Sequence, residues 1–122
     1  KALMLELLNK AQQIAWLNNR RHMLALITDD NIRSLSQFLR AGYQIVGCGF
    51  DPVDGSNAFF AHKSLSRLNL RHQFERAADQ SIIIPPQPLD DMKAMFDEGY
   101  VGYRPHKDLD GQNTGGLVLA KL

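Results

Sequence analysis

Helical and strand periodicities alternate along this chain, and their order leaves few folds open. Residues 2–17 carry Met4, Leu7, Leu8, Ala11, Ile14 and Ala15 at helical spacing, with Glu6, Lys10, Gln12 and Gln13 off that stripe. This predicts an amphipathic helix that covers a sheet. The polar run Asn18–Arg21 ends it, and His22–Thr28 follows as a short apolar run of strand length. Asp29, Asp30 and Asn31 supply N-cap residues for a second helix, whose apolar stripe is Ile32, Leu35, Phe38 and Leu39. Gly42 is placed to close that helix in the left-handed conformation. Tyr43–Val46 resumes a strand, Asp51–Asn57 is rich in turn residues, and Ala58–His62 returns as another strand. Together these predict a hairpin.

The pattern loosens after Leu65. Ser66–Asp79 reads as a charged linking helix, and Ile82–Ile84 as a short β-branched strand stopped by Pro85 and Pro86. Pro88 opens a helix over Leu89–Glu98, with Asp90 and Asp91 in its first turn, where the helix dipole favours acids. Gly99–Gly116 contains five glycines and a proline and reads as a loop. A loop of that length in a compact domain is usually functional. Leu117–Leu122 reads as a final strand, and no close internal repeat is visible. The order of elements implies an α/β fold, a mixed β-sheet with flanking helices.

Composition excludes several roles. The 122 residues include 14 Lys and Arg against 13 Asp and Glu, a net charge of +1. That balance argues against a module held to nucleic acid by phosphate neutralisation. No apolar run reaches the length of a membrane span. Glu6 interrupts the apolar stretch Ala2–Leu8, so no secretory signal is visible. Cys48 is the lone cysteine, which forbids an intrachain disulfide or a thiolate-rich zinc site and points to a reducing, cytoplasmic setting. The start at Lys1 reads as a processed chain or a fragment.

Common catalytic signatures are missing from the sequence. His22, His62, His72 and His106 lack the short helical spacing of a metal pair, so no metal is expected. Cys48 has no sequence neighbour that would activate it and reads as a buried inert thiol. Asp108–Gly111 has its glycine too early for a calcium loop. Gly47-Cys48-Gly49 lacks the further glycine and helix of a nucleotide loop. Pro85–Pro88 reads as a connector.

One constellation carries more information. Asn31, Ser34, Phe38, Gly42 and Tyr43 follow a short apolar strand and precede a hairpin. This resembles the C-terminal half of the GNAT superfamily of acyl-CoA-dependent N-acetyltransferases, whose pattern is a strand, Asn-x-x-Ala-x-x-x-Tyr-x-x-x-Gly-Phe, then a hairpin. The resemblance implies a partial or permuted GNAT-like fold, with residues 1–65 as the C-terminal half of such a domain. Residues 66–80 would be a linker helix. Ser81–Gly99 resembles the opening strand and first helix of the same superfamily, so 81–122 would start a second unit.

The resemblance also implies a site. Lys1 and Ala2 would lie at the helix N-terminus that receives a pyrophosphate, Asn31 would contact the pantetheine arm, and Ser34 would let the cofactor pass close to the helix. Arg40 would reach the nucleotide phosphate. Phe38 stands where the family often has a tyrosine that protonates the departing thiolate, and phenylalanine has no proton to give. The glycine-rich phosphate loop and the strand before it are not in this sequence, and no catalytic residue is assigned. The implied function is acetyl transfer from acetyl-CoA, as co-substrate, to a primary amine on a small molecule, a protein N-terminus or a lysine. The alternatives are a non-catalytic GNAT-like interaction domain, forming a homodimer or tandem assembly through unpaired sheet edges, and an unrelated small α/β accessory protein. No nucleic acid and no membrane is expected as a partner.

Overall fold

The protein is described here by a computed structural model covering residues 2–65, 71–85 and 87–122. Its elements run α1 (Ala2–Leu17), β1 (His22–Thr28), α2 (Ile32–Arg40), β2 (Gln44–Asp51), β3 (Ser56–Ser64), α3 (Arg71–Arg76), β4 (Asp79–Ile83), α4 (Leu89–Asp97), β5 (Val101–Lys107) and β6 (Asn113–Lys121). The strands form one six-stranded sheet in the order β1-β3-β2-β5-β6-β4. The expected α/β class with flanking helices is what forms, but every pairing is antiparallel, so the sheet is not mixed. Residues 1–65 and 81–122 both supply strands to this sheet. Of the expected linker helix, 66–70 lie outside the described residues. Its remainder divides into α3 and the start of β4.

The first helix, the first strand and α4 form where periodicity and caps place them, but of the expected α1 stripe Leu8 is buried while Leu7 and Ile14 are exposed. Asn31 caps α2 by accepting the Ser34 N–H at 3.1 Å, and Gly42 follows the helix at φ 95°. Gly99 does the same after α4 at φ 98°. These two glycines mark a repeat that the sequence hides. β1 and β4, α2 and α4, β2 and β5, and β3 and β6 each start 57 residues apart (22 to 79, 32 to 89, 44 to 101, 56 to 113). The two βαββ units have mirrored strand orders, 1-3-2 and 5-6-4, as a two-fold axis perpendicular to the sheet requires.

That axis passes through Ile45 and Gly102, which are equivalent positions and the one paired position between β2 and β5. Both strands carry a register shift just beyond it, between Ile45 and Gly47 and between Gly102 and Arg104. Bulges twist and bend strands, and here the neighbours diverge on either side of the axis. The strand β5 occupies part of the expected Gly99–Gly116 loop. Gly102 and Pro105 obscure it in the sequence, since both are poor strand residues. Pro105 is tolerated because it lies past the single pairing with β2, where its missing N–H breaks no ladder on that side.

The front face of the sheet carries the main core. Leu8 of α1, Leu35 and Leu39 of α2 and Met92 of α4 pack on Ile27, Ile45, Phe59, Ala61, Ile83, Leu117 and Leu119. Val118 and Ala120 alternate with these and so point to the back, where Phe74 of α3 and Tyr103 cover them. The back of β1, β3 and β2 stays open, with Leu24, Leu26, Phe60 and Val46 exposed. A Cβ added at Gly102 would sit 3.0 Å from the Ile45 Cβ and 3.3 Å from Leu117. Gly102→Val is therefore expected to cost about 1–3 kcal/mol by overpacking, and Ile45→Ala about 2–5 kcal/mol by opening a cavity at the axis. Urea denaturation midpoints of the two variants check this.

Candidate functional site

Of the residues singled out in the sequence, Asn31, Ser34 and Arg40 fall at two ends of one helix. Asn31 and Ser34 form the N-terminal cap of α2, where the Asn31 amide oxygen is occupied by the Ser34 N–H. Arg40 lies nine residues on, about 13 Å along the axis at 1.5 Å per residue. Between them Phe38 packs edge-on against Tyr43, with ring centroids 4.9 Å apart at 88°, as a partly buried core residue. Ala2 begins α1, and Lys1 lies outside the described residues. The structure therefore does not gather Asn31, Ser34 and Arg40 into one pocket.

Arg40 belongs to a different cluster. Where β2 and β5 diverge, the C-terminal half of α2, the start of α3 and the free half of β5 enclose a cleft of about 210 Å³. It is lined by Ser36, Arg40, Arg71, Arg104, Pro105 and Lys107. A smaller recess beside it adds Tyr43, Gln44, Phe74 and Tyr103. Arg71 is oriented by an ion pair to Glu75 at 3.0 Å, one turn along α3. Arg104 donates from Nε to the Tyr103 hydroxyl at 3.3 Å and lies over the Tyr103 ring. Four cationic side chains line one cleft without a lining carboxylate or histidine. Such a cluster binds anions, and guanidinium groups in particular suit phosphate or carboxylate oxygens.

The sequence pointed to Arg40 alone, through the resemblance. Arg71 sits in the stretch read as a linker, and Arg104 and Lys107 in the stretch read as a loop. The repeated Gly-Tyr after each helix, at Gly42-Tyr43 and Gly99-Tyr100, is the signal that would have placed a strand there.

Two other groups of polar side chains stand out. His22 and His62 stack at 5.1 Å, with Nδ1 of His22 and Nε2 of His62 2.9 Å apart. That separation suits a hydrogen bond with one ring nitrogen protonated and the other accepting. No group of three or more metal-ligating side chains occurs among the described residues. Lys63 donates to the Ala41 carbonyl at 2.6 Å and to the Gln12 side-chain oxygen at 2.9 Å. The ammonium thus closes the C-terminus of α2, where a cation is favoured, and ties it to α1. Burial holds Lys63 below its ordinary 10.5.

Cys48 is buried, and burial, the largest of several effects, raises its thiol above the ordinary 9.0. This is the environment of an inert thiol. Burial likewise raises Tyr43 above 10.0. Comparison of the chain with protein-family models, curated proteins and solved structures returned no match.

These shifts set an alkaline pH dependence. Cys48 and Tyr43 hold their protons more tightly folded than unfolded, so their contribution is complete below pH 9 and is lost as pH rises through their raised values. Lys63 acts in the opposite sense, because its charged form is disfavoured in the folded chain. Its penalty is removed as pH climbs from the lowered value toward 10.5. Lys63→Met is expected to lower stability at pH 7 by about 1–2 kcal/mol through the lost carbonyl contact. It should also steepen the decline in Tm between pH 9 and 10.5, which a pH series of thermal melts reads directly.

Proposed function

We propose that the chain binds a phosphate-bearing ligand in the cleft between α2, α3 and β5, with acyl-CoA as the ligand class. The observation that carries this reading is the convergence of Arg40, Arg71, Arg104 and Lys107, with the Ser36 hydroxyl, on one cleft of about 210 Å³. That volume suits a phosphate group and not a nucleic-acid duplex, and it agrees with the near-zero net charge of the whole chain. Acyl-CoA is favoured among phosphorylated ligands because Arg40 is also the residue to which the GNAT resemblance gives a nucleotide phosphate.

Binding is better supported than turnover. The groups that line the cleft are cations and a hydroxyl, with no base to take a proton from an attacking amine. Phe38 has no proton to donate, and its ring is packed against Tyr43. Acetyl transfer to a primary amine remains the reaction that the resemblance implies, and it would need a base from outside the cleft lining.

Titration calorimetry of the full chain with coenzyme A, its 3′-dephospho form and inorganic pyrophosphate tests the proposal. Coenzyme A is expected to bind, and to weaken as salt rises. Arg40→Ala and Arg104→Ala should each raise Kd by about tenfold or more, the cost of a charge-assisted hydrogen bond. No heat from any of the three at millimolar concentration would sink the reading. Release of free thiol from acetyl-CoA in the presence of a primary amine tests the transfer step separately.

A further inference from the structure

The outer edge of β1 has no strand beside it among the described residues, since β1 ends the sheet order. Such an edge is ordinarily blunted by charge, proline or a bulge. His22-Met23-Leu24-Ala25-Leu26-Ile27-Thr28 has none of these, and its pairing with β3 runs without a register shift. Leu24 and Leu26 are 78% and 63% exposed. The other edge strand, β4, begins with Asp79 and is followed by Pro85.

We infer that the protein forms a two-fold dimer by pairing β1 with β1 of a second copy, antiparallel and centred on Ala25. The ladder with β3 fixes which groups are available. The Asp29 N–H donates to Asn57, and the Arg21 carbonyl accepts from Leu65. In an antiparallel pair the residues that exchange backbone hydrogen bonds alternate. Odd-numbered residues of β1 therefore turn their backbone groups to β3, and His22, Leu24 and Leu26 turn theirs outward, as does Thr28, whose carbonyl already accepts the Asn31 N–H at 3.0 Å. Centring on Ala25 sets Leu24 opposite Leu26 and His22 opposite Thr28, all with outward backbone groups. Met23 falls opposite Ile27, on the core side.

Charge selects this register over its neighbours. The strand is bracketed by Arg20-Arg21 at one end and Asp29-Asp30 at the other. The proposed centre brings the arginine end of each copy to the aspartate end of the other. A shift of the centre to Leu24 or Leu26 moves the arginines off the aspartates. Within one chain neither aspartate has an ion-pair partner among the described residues. Burial and the neighbouring Asp30 hold the Asp29 carboxyl above its ordinary 3.8, a cost that a cation from a second copy would relieve. Arg21 is held at the end of α1, over the Trp16 ring at 3.9 Å and donating to the Trp16 and Arg20 carbonyls and the Asn19 side chain, so Arg20 is the arginine free to reach a second copy.

The same pairing covers apolar surface. Leu24 and Leu26 share the open back face with Phe60, which lies opposite Leu26 on β3. In the dimer the leucines of both copies meet around the axis and the two open faces become continuous. An isologous contact of this kind closes on itself, whereas β1 pairing with β4 would propagate without limit.

Sedimentation equilibrium and light scattering of the full chain test the inference, with circular dichroism to confirm that each variant stays folded. The unaltered chain is expected to be dimeric in the micromolar range. Leu24→Lys places a charge on an exposed position and should weaken the dimer by at least about tenfold. Arg20→Asp should weaken it by about tenfold, and adding Asp30→Arg should restore it. A monomer up to about 100 μM overturns the inference, as that marks a free energy too small for a specific dimer. A dimer indifferent to Leu24→Lys, or to both charge changes, overturns it as well.

Discussion

The two halves of this sheet touch along their backbones at one pair of residues. Ile45 and Gly102 stand opposite each other on the axis, and the bulges that follow carry β2 and β5 apart. A strand whose neighbour diverges leaves backbone groups and apolar side chains to be covered. Here each helix does that for the other half: α2 packs beside β5, and α4 beside β2. The cationic cleft exists because of this arrangement. Arg40 reaches β5 from a helix that belongs to the opposite half, and α3 arrives from the back to supply Arg71.

The two junctions share geometry and differ in electrostatics. Ser36, Arg40 and Pro105 around one divergence correspond to Lys93, Asp97 and Cys48 around the other, each 57 residues on or back (36 to 93, 40 to 97, 48 to 105). Lys93 and Asp97 lie close enough to Cys48 to act on its thiol in opposite directions. Asp29 joins Asp97 in opposing Lys93 there, whereas Arg40 has Arg104 and Lys107 as company. A single backbone plan thus yields one junction of mixed charge around a buried thiol and one lined by cations. The difference arises in side chains and in α3, which has no counterpart among the described residues on the back of the first half.

Much of the fold was legible wherever one signal dominated. The helix over 2–17, the apolar run His22–Thr28, the Asn31 cap and the Pro88 opening all form where periodicity and capping place them, although Leu7 and Ile14 of the expected α1 stripe are exposed and Gln12 is half-buried in their stead. The strand β5 was not legible, because Gly102 and Pro105 are there for reasons of contact and not of propensity. Gly102 has to admit Ile45, and Pro105 sits where one ladder has already ended. The repeat was hidden for the same reason. Few side chains match across 57 residues, while the left-handed turns at Gly42 and Gly99 do. The cleft was legible only in Arg40. Its other cations are brought in by tertiary packing from segments that looked like a linker and a loop, and no local pattern encodes that meeting.

The pairing at the axis has a consequence for how the halves relate. In a symmetric assembly of identical units the residue on the axis faces its own copy. Here a branched side chain faces a bare backbone, a knob set into a hole, with Leu117 and Leu119 closing around the same space. Two first halves would bring isoleucine against isoleucine, and two second halves would leave a void between glycines. The units keep a common backbone yet can no longer replace one another. A chain with this axis is committed to holding one of each.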